Sequence, residues 1–418
     1  MARVLAIAAV VTVRHIGRGS AGADRDARRG AFVFALLRAL GPIYIKLAQL
    51  LAAQSGCISS GFRAELQGAY DRNEAVPFPE VRRELEKAYA RPIEEMFERF
   101  DPEPVGSGSV AQVHRARLRS GGMVAVKLIK PGAAGSIESA LTAVAILITL
   151  ADRLVPSLRP LRLGENFADV RDALVSQTDL AAERRNQEAM AGRLVGDPFL
   201  VVPRVHAEAC TEGVIVMDFI EGVPLYDDAR IHGDRAVLAE RMQHSFYRMV
   251  FLHGHFHVDP HPGNMLLMED GRLALIDFGM VAEMNEADRF AMSVFNYYVV
   301  NGLWGEAVEH FLKLFVDSPP PVNEEDALWK EISVVLLRNF GGGGNRWSTA
   351  AFLTDAAEVL RSHGLRLRVG MSLLALSLAT AEGILHDIHK DIDFWQNARR
   401  FVAATAGASP AEVEAASR

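Results

Sequence analysis

The densest chemistry in this chain lies between residues 257 and 279. His257-Val258-Asp259-Pro260-His261-Pro262-Gly263-Asn264 is followed, beyond the hairpin glycine Gly271, by Asp277-Phe278-Gly279. An acid with an asparagine five positions on, then a second acid closing a short apolar run, is the set that phosphoryl transfer uses. In that chemistry Asp259 orients or deprotonates an attacking hydroxyl or water, while Asn264 and Asp277 offer Mg²⁺ hard oxygen donors. Asp-Phe-Gly alone is a weak signal, because a buried Asp capping a turn reads the same way. Its combination with Asp259 and Asn264 is the specific one.

A triphosphate also needs a backbone cradle and a cation. Gly106-Ser107-Gly108-Ser109 places small residues where a main chain approaches phosphate, and Val110-Ala111-Gln112-Val113 follows as a strand. A lone Gly-rich turn reads as an ordinary hairpin before it reads as a phosphate loop; Lys127 and the later acids reverse that order. Lys127 stands inside the apolar run Val124 to Ile129, where an ammonium is costly unless it meets an anion. A phosphate and a carboxylate are the expected partners. Glu183, on a charged helical stretch, is the candidate carboxylate, with a solvated helix charge as the alternative. Met217 and Asp218 stand where a connecting segment offers backbone groups to adenine. The expected cofactors are therefore ATP and Mg²⁺, with Lys127, Glu183 and Asp259 catalytic, Asn264 and Asp277 on the metal, and Gly106 to Ser109, Lys127, Met217 and Asp218 on the nucleotide.

The elements that must position these groups follow from periodicity. Residues 24–70 alternate apolar and charged positions at helical spacing, broken by Gly41-Pro42 and by Gly56 to Gly61, which predicts two or three helices. From Phe100 to Ile129, β-branched runs around Ser120-Gly121-Gly122 predict a β-hairpin. Helices are expected over 136–155 and 166–194, and strands over 200–205 and 214–219. Beyond Gly222 the chain reads as mainly helical, interrupted by strands over 264–268 and 273–276. Asn285, with Asp288 three positions on, marks a helix N-terminus soon after Gly279. The expected organisation is α+β: a helical segment 1–99, a β-rich segment 100–219 with inserted helices, an α-rich segment 220–403 carrying the catalytic loop, and a flexible tail 404–418.

Composition removes several function classes. With 418 residues and 45.7 kDa the chain has room for two or three structural units. A net charge of −7 and a pI of about 6.0 give no global electrostatic reason to bind nucleic acid. Cys57 and Cys210 form no CxxC, which suits a reducing compartment and structural thiols. His253, His255, His257 and His261 cluster, but their spacing divides them and no cysteine joins them, so polar packing is expected rather than metal binding. The apolar runs Val4 to Val13 and Val369 to Ala379 are too short to span a bilayer, and Ala31 to Ala53 is interrupted by Arg38 and Lys46. A cytoplasmic protein without a transmembrane helix is expected. Peripheral contact with the inner face of the membrane, through the first fifty residues, is the alternative to plain packing there.

Phe251 to Met280, with FHVDPHPGN and LALIDFGM, together with VGSGSVAQVH from Val105 and VAVKLIKPG from Val124, resembles the UbiB/AarF family of atypical kinase-like proteins. The resemblance extends from about Leu40 to about Trp395. It implies a protein-kinase-like two-lobe fold, with an N-terminal helical extension packed over the active-site cleft. It also implies a link to coenzyme Q and other isoprenoid-lipid metabolism. Leu40 to Gln49 is similar to the family's KxGQ helix, with Lys46 and Gln49 retained and Ala48 in place of Gly. That match implies nucleotide-site roles for Lys46 and Gln49, and a helix that blocks the place of a protein substrate. Gln177-Thr178-Asp179 occupies the family's ExD position, with Gln replacing Glu. Gly106 and Gly108 depart from its Ala-rich loop.

The expected activity is Mg²⁺-dependent ATP hydrolysis, or phosphorylation of a small molecule or isoprenoid lipid. The short connection after Gly279, with no Ala-Pro-Glu, argues against a protein acceptor. The competing reading is an ATP-gated protein that binds a lipid or a partner with incidental turnover. Asp259 favours the enzyme and the occluding helix favours the gate. An aminoglycoside-type phosphotransferase also lacks an activation segment, but it does not explain the Lys46 helix.

Overall fold

The computed structural model describes residues 75–154, 175–227, 230–231, 233–318, 325–342 and 347–405, with the single positions 44, 167 and 171. The expected helices over 24–70, with Lys46, Ala48, Gln49 and Cys57, and the expected tail lie outside the described residues.

The described chain divides into two compact units, the first within residues up to Glu188 and again over Pro203–Phe219, the second over Ala189–Val202 and from Ile220 onward. It opens with α1 (Phe78–Tyr89), which starts after Pro77 and ends at Ala90 in the left-handed conformation, φ 51°. Then come β1 (Phe97–Ser107), β2 (Ala111–Leu118) and β3 (Met123–Ile129), the last two joined through Gly121 and Gly122 at φ 96° and 93°. That turn matches the expected hairpin, because only glycine adopts such angles cheaply. After α2 (Ala133–Leu154) and α3 (Leu180–Arg193), β4 (Leu200–Val201) joins the second unit's sheet, and β5 (Val214–Asp218) completes the first sheet in the order β1-β2-β3-β5.

One face of that sheet carries the first core. Val124, Val126 and Leu128 of β3, Val214 and Val216 of β5, and Ala116 and Leu118 of β2 pack with Val81 and Leu85 of α1 in one buried cluster. Val81 and Leu85, one helical turn apart, are fully buried, and each is worth about 1.5–3 kcal/mol of apolar transfer. The strand period of two then turns Lys127 to the opposite face.

Three expectations need correction here. The hairpin is a three-stranded meander, because β1 precedes it. β1 is an edge strand of mostly exposed residues with irregular register and two prolines, so it lacks alternation. The continuous helix over 166–194 breaks at Gln177 and Thr178, and Asp179 caps α3 by accepting from the Ala182 amide at 2.8 Å. The strand expected over 200–205 shrinks to β4, with Val205 held only by an isolated bridge to Met217.

The second unit continues with β6 (Val223–Pro224) and α4 (Arg235–Tyr247), which runs into a π-helical turn over Arg248–His253. Gly254, at φ 59°, stops that turn. Next come β7 (His255–His257), a 3₁₀ turn over Pro262–Asn264, β8 (Met265–Leu267), β9 (Leu273–Leu275) and β10 (Val281–Glu283). The second sheet has the order β4-β9-β8-β6, and β10 pairs with β7. Helices close the unit: α5 (Glu286–Val300), α6 (Trp304–Leu314), α7 (Glu325–Phe340), α8 (Thr349–Ser362), α9 (Val369–Ile388) and α10 (Phe394–Thr405). Asn285 caps α5 as its spacing predicts, accepting from the Asp288 amide at 2.8 Å. Phe295, Phe311, Phe315 and Phe352 are buried against one another, with the Phe295 and Phe352 rings 5.3 Å apart. Among the described residues, no helix is long and apolar enough to cross a membrane.

Candidate functional site

In the first unit, strand register sets the cation. Gly106 pairs with Val113 and Val113 with Lys127, so the glycine loop and Lys127 lie on one row across three strands. Lys127 Nζ donates to Glu183 Oε1 at 2.5 Å, and the two side chains are only 7% and 4% exposed. Glu183 occupies the first turn of α3, which the Asp179 cap starts. Removing two opposite charges from water costs several kcal/mol per ion, so such a pair is weak evidence for stability and better evidence for a purpose.

The Gly108 amide donates to the Ala111 carbonyl at 2.9 Å, which closes the loop between β1 and β2. Neither Gly106 nor Gly108 has a positive φ. A Cβ at Gly106 would meet nothing within 4 Å, and one at Gly108 would touch only the Ala111 oxygen at 3.5 Å. The chain's own packing therefore accepts alanine at both positions, and the glycines leave room above the loop. Ser107 ends β1, and Ser109 lies in the turn.

Met217 and Asp218 fall within β5. The Asp218 amide donates to the Arg204 carbonyl at 2.9 Å, and its carboxylate takes His206 Nε2 at 2.7 Å. That amide is committed within the fold. Met217 pairs with Ala125 of β3, and its side chain is buried.

In the second unit, His257 stitches the two acidic motifs together. Its Nδ1 accepts from the Asp259 amide at 3.1 Å, so the neutral ring carries its proton on Nε2, which lies 2.7 Å from the Asp277 carbonyl. The His257 carbonyl takes the Ser377 hydroxyl of α9 at 2.6 Å. The Val258 amide donates to Met280 at 2.9 Å, and Phe278 is fully buried beside the His257 ring. Asn264 Nδ2 donates to the Asp259 carbonyl at 3.1 Å, and the Ile276 amide donates to the Asn264 carbonyl at 3.0 Å. One Asp277 oxygen accepts from the Gly279 amide at 3.0 Å. Asp259, Asn264 and Asp277 are thus joined in one hydrogen-bonded block. Because its NH₂ is used on Asp259, Asn264 presents Oδ1 as its acceptor. An amide oxygen and a carboxylate suit Mg²⁺, which takes few protein ligands and completes its shell with phosphate and water oxygens.

His253 and His255 lie in packed surroundings, the first half-buried and the second buried. His255 Nδ1 lies 2.6 Å from Arg193, which also pairs with Glu283 of β10. Burial first, then the Arg193 charge, pushes the His255 imidazole down to about 4. Burial, followed by the Arg248 charge, lowers His253. The Cys210 thiol is raised, chiefly by burial. Periodicity missed Ser377 and Glu382, both on α9. Glu382 accepts from the Ser348 hydroxyl at 2.5 Å and from the Thr349 amide at 3.0 Å at the start of α8. Burial pushes its carboxyl up to about 7, against those donors. The available signal was weak: α9 carries several other polar residues, Ser372, Thr380, His386 and Asp387 among them.

Residues 69–310 match the family model for the ABC1 atypical kinase-like domain. The probable protein kinase UbiB of Aeromonas hydrophila subsp. hydrophila is 30% identical over 386 residues, covering 90% of this chain and 70% of that protein. The probable protein kinase UbiB of Pseudomonas aeruginosa strain PAO1 is likewise 30% identical over 386 residues, covering 90% and 71%. The Mycobacterium tuberculosis Rv3197–erythromycin complex superposes with a TM-score of 0.55 at 23% identity, over 82% of this chain and 87% of that one, and so shares the fold. With more than half its length matched by the family model, the chain belongs to the ABC1 atypical kinase-like family and has its kinase-like α+β fold.

Proposed function

We propose that this protein binds ATP with Mg²⁺ and uses it in phosphoryl chemistry, either hydrolysing it or passing the phosphoryl group to a small or isoprenoid-lipid acceptor. The observation that carries the reading is the Lys127–Glu183 pair: two charges held out of water, in register with a loop whose glycines the fold itself does not require. Glu183 orients the Lys127 ammonium, which meets the α- and β-phosphates, and the Gly106 to Ser109 backbone cradles them. Asn264 Oδ1 and the Asp277 carboxylate hold the metal. Magnesium, when bound, offsets negative charge developing on the phosphoryl oxygens. Asp259 accepts the proton of the attacking hydroxyl or water. Lys46 and Gln49 contribute to the nucleotide site by resemblance alone. The resemblance to the UbiB/AarF family supports a place in quinone metabolism, and the acceptor then calls for peripheral access to the membrane's inner face.

The connection from Gly279 to the α5 cap, occupied by β10, supports a non-protein acceptor. It equally favours the second reading, an ATP-gated lipid- or partner-binding protein. ATP turnover by wild type, Asp259→Ala and Asp277→Asn, measured beside binding of an isoprenoid quinone with and without ATP, separates the two. The enzyme reading expects both variants to lose turnover with the fold intact. Full turnover in Asp259→Ala with ATP-dependent quinone binding selects the gate.

A further inference from the structure

We propose that His261 is a positioning residue of this site: through the Gly263 amide it fixes the turn that presents Asn264 to the metal. The inference rests on the reading of Asn264 as a metal ligand. The 3₁₀ turn Pro262–Asn264 is capped by His261, whose Nδ1 accepts from the Gly263 amide at 2.8 Å. Serine, threonine, aspartate and asparagine normally take that role. Pro262 pre-sets the first position of the turn and has no amide to satisfy.

Gly263 is required for a different reason from the left-handed glycines. Its φ is not positive, but a Cβ there would stand 2.4 Å from His261 Cε1 and 3.0 Å from Nδ1. The imidazole lies directly over the position a side chain would fill. Cap and glycine are therefore one device. Its output is Asn264, whose amide donates to the His261 carbonyl at 2.9 Å and whose Nδ2 donates to Asp259 at 3.1 Å. Without the ring, the turn loses its cap, and the direction of Asn264 Oδ1 rests on the Asp259 and His261 carbonyl contacts alone.

The test uses Mn²⁺ as the probe, titrated into the full chain with a non-hydrolysable ATP analogue and followed by the electron paramagnetic resonance signal of the free ion. Loss of an outer-shell partner predicts about a tenfold weaker Mn²⁺ affinity for His261→Ala and for Gly263→Ala. The double variant should be no weaker than either single one, because both break the same contact. His261→Asn, whose Oδ1 reaches the place of Nδ1, should restore affinity to within about twofold, as expected of interchangeable cap acceptors. Metal-free binding of the analogue should not change. If His261→Ala does not fold, Gly263→Ala and His261→Asn read the same contact. Wild-type Mn²⁺ affinity in His261→Ala or Gly263→Ala, additive losses in the double variant, or failure of a folded His261→Asn to recover, overturns the proposal alone. Wild type that binds no Mn²⁺ with the analogue overturns the nucleotide reading as well.

Discussion

Lys127 and Glu183 sit on a strand and a helix and hold each other by charge, whereas Asp259, Asn264 and Asp277 sit in turns and are held by backbone amides and the His257 ring. In the first region the proposed phosphate ligand and its support are one ion pair. In the second they are separate residues. Substitutions should therefore cost stability and function together in the first, and function with little stability in the second.

The largest expected effect breaks the first region. Glu183→Ala takes the carboxylate away from a buried ammonium and should destabilise the protein by about 3–5 kcal/mol, read from urea unfolding. A loss below about 1 kcal/mol, the level of an exposed pair, would erase the contrast.

A second buried carboxylate sharpens it. Glu382 has hydroxyl and amide donors where Glu183 has an ammonium, and its carboxyl is pushed up to about 7 from an ordinary 4.5. The folded state then binds the proton more tightly than the unfolded chain. This group's contribution is fully present below about pH 4.5 and is lost as the pH rises to about 7, on the order of 3 kcal/mol in all. Glu382→Gln should remove that loss, so wild-type stability relative to the variant falls between pH 4.5 and 8. A difference that does not vary with pH contradicts the assignment.

The smallest effect is expected at Gly106→Ala. With nothing within 4 Å of the added methyl, stability should stay within about 0.5 kcal/mol of wild type by thermal unfolding. A larger loss would mean that the fold, and not a ligand, requires the glycine.

Local chemistry was legible in the sequence wherever one residue type decides a conformation. The Gly121-Gly122 turn, the Asn285 cap and the apolar strand around Lys127 all formed as read. The burial argument for Lys127 also found its partner, 56 positions away. What escaped was structure made by pairing at a distance. β7 and β10 are three residues each and exist because Val281 lies opposite His257, which no window of sequence reveals. β1 hid behind its prolines, and the cap at Asp179 looked like helix interior. Ser377 and Glu382 carried no sequence signal that was read, although they anchor β7 and the start of α8.

Calorimetric titration of a non-hydrolysable ATP analogue, with and without Mg²⁺, into wild type and Asp277→Asn tests the central claim most directly. Mg²⁺ should strengthen binding to wild type by at least about tenfold, the scale of a lost metal ligand or its support, and the variant should show no such gain. Equal Mg²⁺ enhancement in both proteins, or no binding by wild type, would contradict the account.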